Sequence, residues 1–321
     1  MLKVKNLSVS YQNSNLFSFQ STELKAVESV SFEIPARHIL GLVGESGCGK
    51  STIGRAILQL QKIKSGEILY QEQDLSSLNK KEKLAIRKKI QVVFQDPYSS
   101  LNPRLTIEEI ITEGLNVHHR SMSASEKKER AAYALQKVNL PAEILSRYPH
   151  EFSGGQRQRI AIARALILGP ELVVCDEAVS ALDISTQAQV INNLLDLRDE
   201  LGISILFISH DLNIVKHISD NIAVMYLGKI VEMGSKQQIS ENPAHPYTKA
   251  LFSASFDIKQ RTKFPKALVG EIPSLTQKPS GCYFQTRCPN VQNQCKTIAP
   301  EEKKLSDGRM VSCHFPIHRS E

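Results

Sequence analysis

The sequence predicts an α/β protein whose core is a largely parallel β-sheet. The prediction rests on three short apolar runs of strand type, at residues 39–43, 172–175 and 203–209. Each run is followed by glycine-rich or polar residues, and the segment after the first run continues as a predicted helix from residue 49 to residue 60. Runs of this kind are typical of central strands, and the residues that follow them lie at the carboxyl edge of a parallel sheet, where ligands bind.

The loop after the first strand has the pattern of a phosphate-binding loop. Glycines allow its backbone N–H groups to turn toward a triphosphate, and the helix N-terminus adds partial positive charge. Lys50 is predicted to reach the β- and γ-phosphates, and the Ser51 hydroxyl to hold Mg²⁺. The alternative is a glycine-rich turn before an ordinary helix, which the acidic strand downstream argues against. The predicted ATP-binding loop comprises Gly44, Glu45, Ser46, Gly47, Cys48, Gly49, Lys50, Ser51 and Thr52.

An acidic pair, Asp176 and Glu177, follows the second apolar run. Asp176 is predicted to orient the magnesium ion, through Ser51 or water, and Glu177 to polarise the attacking water as a general base. A solvated Asp-Glu pair after a strand is the alternative. The phosphate-binding loop upstream favours the catalytic interpretation.

A second anion cradle is predicted where a serine and two glycines open an alanine-rich amphipathic helix. Its residues are Ser153, Gly154, Gly155 and Gln156. The chain has two phosphate cradles but a single nucleotide-binding loop. This is explained if the second cradle of each chain contacts the nucleotide bound by its partner. The sequence therefore predicts a dimeric site.

The remaining elements follow from local patterns. Short β-type segments occupy residues 2–35, and a strand at residues 66–70 precedes a lysine-rich helix at residues 78–89. Residues 90–94 form another predicted strand. Residues from about 96 to 168 are predicted to be largely helical. A helix at residues 186–201 and strand-type sequence at residues 222–234 complete the core.

Together these segments resemble the nucleotide-binding subunits of ATP-binding cassette (ABC) transporters over roughly residues 1–255. The resemblance implies a P-loop NTPase fold with a RecA-like mixed sheet core, an antiparallel β subdomain and a helical subdomain at about residues 96–168. It implies that Tyr11 stacks on adenine, although a strand-end aromatic of no function is the alternative. It also implies that the second cradle acts in trans and that Asp183 lies in a loop crossing the dimer interface.

The same resemblance assigns the chemistry. Gln95 is similar to a glutamine that links the γ-phosphate site to the membrane subunit, and His210 to a histidine that contacts the γ-phosphate. A histidine at a strand end is otherwise more often structural. The implied catalytic residues are Glu177, His210 and Gln95, and the implied magnesium ligands are Ser51, Gln95 and Asp176.

Within the family, the chain most resembles the ATPases of oligopeptide and dipeptide importers. Such importers usually carry two ATPases, and the chain is more similar to the second. The resemblance is carried by residues 41–50, 94–104, 175–183 and 245–251. Ala178-Val179 stands where Pro-Thr is common across the wider family, and this difference fits the subgroup. The resemblance implies a heterodimer with a second homologous ATPase, two membrane permease subunits and an extracytoplasmic peptide-binding protein. A nickel or other small-cargo importer is the alternative, and a soluble non-transport ABC ATPase is a weaker one.

Composition favours a peripheral protein. The chain has 321 residues, 41% of them hydrophobic, and 40 basic against 33 acidic residues give a net charge of +7. No run approaches the roughly 18 apolar residues that a membrane-spanning helix needs, and the N-terminus lacks a secretory apolar region. We expect location at the cytoplasmic face of the inner (plasma) membrane. No nucleic-acid partner is expected, because no recognised binding module accompanies the modest charge.

The remaining residues, 256–321, are predicted to form a C-terminal extension that contains four of the six cysteines: Cys282, Cys288, Cys295 and Cys313. The segment has too little apolar sequence for a core of its own, and disulfides are disfavoured in a reducing cytoplasm. Four thiolates suit zinc or a [4Fe–4S] cluster, and unliganded thiols are the third alternative. Resemblance to the peptide-importer ATPases favours the cluster. Cys48 and Cys175 are excluded as a loop residue and a buried strand residue.

Overall fold

The computed structural model describes residues 1–13, 22–254, 270, 271 and 273–317. The strands in this part of the chain are β1 (Leu2–Asn13), β2 (Thr22–Ile34), β3 (Ile39–Val43), β4 (Ser65–Tyr70), β5 (Gln73–Asp74), β6 (Ile90–Val93), β7 (Leu172–Asp176), β8 (Ser204–Ile208), β9 (Asn221–Tyr226), β10 (Lys229–Ser235), β11 (Lys303–Lys304) and β12 (Met310–Val311). The α-helices are α1 (Lys50–Ile57), α2 (Lys80–Lys89), α3 (Pro97–Ser100), α4 (Ile107–His118), α5 (Ala124–Lys137), α6 (Gly154–Leu166), α7 (Ile184–Leu201), α8 (Leu212–Ile218), α9 (Lys236–Glu241), α10 (Pro246–Ala254) and α11 (Asn293–Thr297).

The chain forms two compact units that interleave along the sequence. The first unit comprises residue 1 and residues 34–39 and 74–208, and the second comprises the described residues within 2–33, 40–73 and 209–321. The predicted boundary between residues 255 and 256 falls outside the described residues and remains a prediction.

The first unit contains three parallel strands in the order β8, β7, β6. Residues 172–175 of β7 and all of β8 are buried, which explains why the sequence of both strands is apolar throughout. Asp176 pairs with Ile208 at the carboxyl ends of the two strands. The predicted strands at these positions are confirmed, and Asp176 stands at the sheet edge as expected.

Helices α3 to α6 fill the part of the first unit that was predicted to be largely helical. Helices α4, α5 and α6 each begin with a reciprocal capping box, in which a Ser or Thr and a residue three positions later satisfy each other's backbone N–H groups. The apolar face of α6 packs against α4 and α5 and also contacts β6. The cradle at the start of α6 therefore rests on a well-anchored helix.

The second unit contains a mixed sheet in the order β11, β12, β10, β9, β3. Strand β3 runs parallel to β9, with Val43 opposite Val224, and the other neighbours are antiparallel. A separate four-stranded sheet has the order β2, β1, β4, β5, and its β1–β4 pair is antiparallel, as predicted for the N-terminal segment. Helix α1 follows β3 after a loop at residues 44–49. It ends at Ile57, three residues earlier than predicted, where Gln59 adopts a left-handed φ of 56°.

The described part of the C-terminal extension has little regular structure and is held by side chains. Phe284 is 1% exposed, and its ring lies 5.3 Å from the rings of both Tyr226 and Tyr247. Arg309 makes an ion pair with the fully buried Glu232 of β10 at 3.3 Å. These contacts attach the extension to the rest of the second unit. Across the described residues, no helix is long and apolar enough to cross a membrane.

Candidate active site

The phosphate-binding loop connects β3 to α1 within the second unit. Gly49 is the N-cap of α1 and has a left-handed φ of 110°. A Cβ atom at this position would lie 2.4 Å from the carbonyl oxygen of Ala26, so only glycine fits here. The loop therefore has the tight turn that the sequence predicted, and its backbone leads directly into a helix N-terminus.

Lys50 turns its ammonium group back into this loop. The residue is 4% exposed, and Nζ donates hydrogen bonds to the carbonyl oxygens of Gly44 at 2.7 Å and Glu45 at 3.1 Å. Its third neighbour is Cys48 Sγ at 3.8 Å. Phosphate oxygens carry negative charge, so an ammonium–phosphate hydrogen bond gains Coulomb attraction that these neutral carbonyl partners do not provide. The group is thus placed for a polyphosphate.

Tyr11 lies beside the helix that the loop opens. Its hydroxyl group is 3.3 Å from Thr52 Oγ1, and the side chain is half-buried. This contact joins the end of β1 to α1. The structure therefore brings the predicted adenine-stacking residue and the phosphate-binding loop into one unit.

Glu45, in the middle of the loop, has partners from far along the chain. Its carboxylate accepts two hydrogen bonds from the Arg287 guanidinium, at 2.7 and 2.9 Å, and its backbone N–H donates to Tyr247 Oη at 3.1 Å. Neither Arg287 nor Tyr247 was predicted as a site residue. Residues 242 positions apart leave no local pattern from which such a contact could be read.

His210 is also in the second unit and is exposed. It lies between the end of β8 and the start of α8. Asp211, the next residue, caps α8 by accepting a hydrogen bond from Asn213 N at 2.9 Å. The histidine therefore comes directly before the N-cap residue of α8.

Asp176 and Glu177 lie in the first unit, at the end of β7, and both are partly exposed. Glu177 has a φ of 50°, in the left-handed region that a glutamate rarely adopts. Its N–H donates to Ile208 O at 2.9 Å, and its carbonyl oxygen accepts from Ser180 N at 3.1 Å and Ser180 Oγ at 3.0 Å. Strain that is held in place by such bonds is typical of functional positions.

The second cradle forms the N-terminus of α6. Ser153 Oγ accepts from Gln156 N at 3.3 Å, and Gln156 Oε1 accepts from Ser153 N at 3.0 Å. Gly155 is required by packing, since a Cβ there would lie 2.0 Å from Thr186 Cγ2. Gly154 is different, because its nearest neighbours would be Leu182 Cδ2 at 3.5 Å and Tyr98 Oη at 3.9 Å. Packing within this chain leaves room for a side chain at Gly154.

The segment around Gln95 is bonded to the same helix. Gln158 Nε2 of α6 donates to Phe94 O at 3.5 Å, and the Arg157 guanidinium stacks on the Tyr98 ring at 4.1 Å. Gln95 itself is exposed. The first unit thus joins the predicted Gln95 segment to the second cradle.

Asp183 is the N-cap of α7. One carboxylate oxygen accepts from Ser185 Oγ at 2.6 Å and Thr186 N at 3.0 Å, and the other accepts from Thr186 Oγ1 at 2.7 Å. These hydrogen bonds hold the pKa of the carboxyl group well below its usual range. Asp183 is exposed, and the neighbouring Ile184 is 86% exposed. This part of the first unit presents a charged and an apolar side chain outward together.

The four cysteines of the extension line one small cavity of about 10 Å³. All are free thiols, and burial raises the pKa of Cys282 and Cys288 and raises that of Cys313 to about 11. No three His, Cys, Asp or Glu side chains in the described ranges stand close enough in geometry to hold a metal ion. Four thiols are suitable ligands for a thiophilic metal. Within the described residues, however, their positions do not form a coordination site. Cys48 and Cys175 are buried elsewhere, as predicted.

Comparison with known proteins identifies the family of the chain. The family model described as "ABC transporter" matches residues 27–180, and the model of the oligopeptide/dipeptide transporter C-terminal region matches residues 231–295. The oligopeptide transport ATP-binding protein AppF of Bacillus subtilis (strain 168) is 49% identical over 307 residues, covering 94% of this chain and 93% of AppF. The oligopeptide transport ATP-binding protein OppF of Haemophilus influenzae is 48% identical over 319 residues, covering 98% and 96%.

Solved structures give the same result. A dimeric structure of a post-hydrolysis state of the ATP-binding cassette MJ0796, bound to ADP and Pi, matches with a TM-score of 0.66 at 30% identity, covering 74% of this chain and 99% of that chain. The structure of cbiO1 from Clostridium perfringens matches with a TM-score of 0.65 at 26% identity, covering 74% and 89%. The predicted fold is confirmed. The chain belongs to the ABC transporter family and carries the C-terminal region of its oligopeptide/dipeptide members.

Proposed function

We propose that this chain is the ATP-binding and ATP-hydrolysing subunit that powers peptide import across the cytoplasmic membrane. The observation that carries the proposal is the inward-turned Lys50 in a phosphate-binding loop, within a chain similar along nearly its full length to oligopeptide transport ATP-binding proteins. The subunit works at the cytoplasmic face of the membrane, because the membrane crossing is supplied by its partners.

In this proposal ATP binds at the phosphate-binding loop. Tyr11 stacks on the adenine, Lys50 holds the β- and γ-phosphates, and Ser51 binds Mg²⁺ together with Gln95 and Asp176. The Tyr11–Thr52 contact supports the assignment, because it holds the aromatic ring close to the helix that carries Ser51 and Thr52. A bound Mg²⁺ ion would neutralise charge on the β- and γ-phosphate oxygens.

Glu177 acts as the general base and His210 contacts the γ-phosphate. The left-handed backbone of Glu177 supports its role. Such a conformation costs about 1–3 kcal/mol, and residues that keep it are concentrated at active sites. The two hydrogen bonds from Ser180 to the Glu177 carbonyl oxygen supply part of that constraint. These bonds hold the Glu177 backbone at the end of β7.

The second cradle caps the nucleotide of a partner subunit. Support comes from Gly154, whose missing side chain is unexplained by packing within this chain and would allow a phosphate to approach the backbone. Ile184, 86% exposed beside Asp183, supports a protein partner at the same surface. We propose that the partner is a second homologous ATPase, so that two nucleotides are enclosed in a heterodimer.

The membrane partners are two permease subunits that the Gln95 segment contacts, and an extracytoplasmic peptide-binding protein selects the cargo. The Gln95 segment can transmit movement because Phe94 and Tyr98 contact side chains of α6, the helix that begins with the second cradle. Closure of the nucleotide dimer would therefore move the cradle and the permease contact as one body. ATP drives the cycle because it binds the closed dimer more tightly.

The four cysteines of the extension are proposed to hold a [4Fe–4S] cluster, with Zn²⁺ as the alternative. The support is chemical: four free thiols line one cavity. Bound metal would cross-link the loop-rich segment. Iron, labile sulfide and zinc are measured in the purified protein. About four iron atoms and four sulfide ions per chain would support the cluster, and one zinc ion per chain would support the alternative. Absence of both metals would overturn both assignments.

The test of the proposed function is reconstitution. The chain is purified with the membrane subunits and second ATPase that accompany it, and placed in liposomes with labelled peptide, labelled nickel or no cargo. ATP-dependent peptide uptake that is lost in a Lys50→Ala variant supports the proposal. Uptake of nickel but not of peptide would show that the chain is the ATPase subunit of a metal importer. ATP hydrolysis without any co-purifying membrane subunit contradicts the transport function.

A further inference from the structure

We propose that the C-terminal extension positions the phosphate-binding loop through Arg287, so that nucleotide affinity depends on the folded state of the cysteine-bearing segment. Arg287 is a positioning residue, because it acts on the loop through its contact with Glu45. The inference rests on the proposed nucleotide function and adds a control of that site by a distant part of the chain.

The contact between the extension and the loop is specific and largely dry. The Arg287 side chain is 4% exposed and that of Glu45 is 21% exposed. Two hydrogen bonds of 2.7 and 2.9 Å join separate nitrogen atoms of the guanidinium to separate oxygen atoms of the carboxylate. Such bidentate pairs fix direction as well as distance. Tyr226 Oη lies 3.5 Å from the same guanidinium and limits its movement on another side.

Glu45 is directly connected to the group that binds phosphate. Its carbonyl oxygen accepts a hydrogen bond from Lys50 Nζ at 3.1 Å and another from Cys48 N at 3.2 Å. Its N–H is held by Tyr247 Oη. A displacement of Glu45 therefore moves a partner of the Lys50 ammonium and the backbone of the loop together.

Electrostatics adds a second reason. Glu45 places a negative charge within a loop that receives a polyphosphate, and like charges in a partly buried site repel strongly. Arg287 neutralises this charge. Removal of the guanidinium would leave an unpaired carboxylate next to the anion, so both geometry and charge predict weaker nucleotide binding.

Arg287 is held by the segment that contains the cysteines. Its N–H donates to Phe284 O at 3.0 Å, and Phe284 is buried against Tyr226 and Tyr247. On either side of this turn lie Cys288, the next residue, and Cys282, whose N–H donates to Cys295 O at 2.8 Å. Disruption of this turn would withdraw Arg287 from the loop. The state of the extension is thereby transmitted to the nucleotide site.

The experiment compares two sets of contacts made by the same extension. Arg287→Gln removes the contact to the loop. Tyr283→Phe is the matched control, because Tyr283 Oη donates to Glu28 at 2.8 Å and has no contact with the loop. Affinity for a fluorescent ATP analogue is titrated without Mg²⁺, thermal unfolding is recorded, and KM and kcat for ATP are measured in the complete transporter.

We expect Arg287→Gln to weaken nucleotide binding about tenfold, equal to about 1.4 kcal/mol. KM should rise with kcat nearly unchanged, as expected when a group acts on binding alone. Arg287→Lys, which keeps the charge and loses the bidentate geometry, should fall between wild type and Arg287→Gln. Tyr283→Phe should leave affinity within about twofold. The double variant Glu45→Gln with Arg287→Gln should recover part of the affinity, because the unpaired carboxylate is gone.

Wild-type affinity in a folded Arg287→Gln variant would overturn the inference. Equal losses of affinity in Arg287→Gln and Tyr283→Phe, in proportion to lost thermal stability, would also overturn it, since that is the result of general destabilisation. If Arg287→Gln does not fold, unchanged affinity in a folded Arg287→Lys variant overturns the inference in its place. Failure of the wild-type chain to bind the analogue would contradict the proposed function and not this inference.

Discussion

Glu177 is the residue on which turnover depends. We expect Glu177→Gln to retain ATP binding and to hydrolyse ATP about 10²–10⁴ times more slowly, because the amide cannot accept a proton from the attacking water. Release of phosphate in single-turnover assays measures the effect. Glu171→Gln is the matched control, since Glu171 lies just before the opposite end of β7 and pairs with Lys89. Near-normal turnover in Glu177→Gln would remove this residue from the role of base.

Lys50 is expected to govern binding and not the chemical step alone. Lys50→Ala should abolish detectable nucleotide binding, because the only ammonium group that donates to the carbonyl oxygens of Gly44 and Glu45 within the described residues is lost. Equilibrium titration with a fluorescent ATP analogue measures this. Arg55→Ala, on an exposed position of α1, should leave binding unchanged. Wild-type affinity in Lys50→Ala would contradict the assignment of the loop.

At the scale of single residues, the sequence was sufficient to predict that the glycine-rich loop and the acidic pair follow buried strands and that Ser153 opens a helix. Each of these is a short local pattern after an apolar strand or at a helix start. The left-handed backbone of Glu177 was not predictable, because it depends on a hydrogen bond from Ser180 to its carbonyl oxygen and on one from its own N–H to Ile208 O. The partnership of Glu45 with Arg287 was equally hidden, since it joins segments that are far apart in sequence.

At the scale of elements, the two glycines that open α6 have different roles. Gly155→Ala should destabilise the protein by about 1–3 kcal/mol, because its Cβ would lie 2.0 Å from Thr186 Cγ2 of α7. Gly154→Ala should preserve stability and reduce ATP hydrolysis, because the new methyl group enters the space proposed for a phosphate. Urea unfolding and phosphate release separate the two effects. Equal behaviour of the two variants in both assays would contradict this division.

The attachment of the C-terminal extension depends on one buried aromatic side chain. Phe284→Ala should lower the free energy of unfolding by about 3–5 kcal/mol, because Tyr226 and Tyr247 lose a close-packed neighbour. Tyr133→Ala is the control, since Tyr133 is 56% exposed on α5. Urea unfolding measures both variants. A Phe284→Ala variant as stable as wild type would show that the extension is not held by this cluster.

The existence and type of the strands and helices were largely predictable, and their ends were less so. The end of α1 was predicted at residue 60 but lies at Ile57, because the following backbone turns at Gln59, which has no helix-breaking side chain. The start of α5 is set by Ser123, which shares a capping box with Glu126, although Ser125 is an equally plausible cap by residue type. Residue type alone therefore does not decide between neighbouring candidates for a helix end.

At the scale of the whole molecule, the predicted machinery is divided between two compact units. The second unit carries Tyr11, the phosphate-binding loop, His210 and the described part of the extension, while the first carries Gln95, the acidic pair, the second cradle and Asp183. Sequence similarity was sufficient for the fold and family. Cargo was not readable from the chain, because a peptide or a nickel ion would be selected by other subunits.

The most direct test of the account is the mass of a hydrolysis-deficient pair in solution. The Glu177→Gln chain is mixed with the second ATPase that co-purifies with it, and sedimentation velocity is recorded with MgATP and with EDTA. The account predicts a two-chain particle only with MgATP, and its loss when Gly154→Asp blocks the second cradle. A chain that stays single when saturated with MgATP, or a pair that forms equally well without nucleotide, would contradict it.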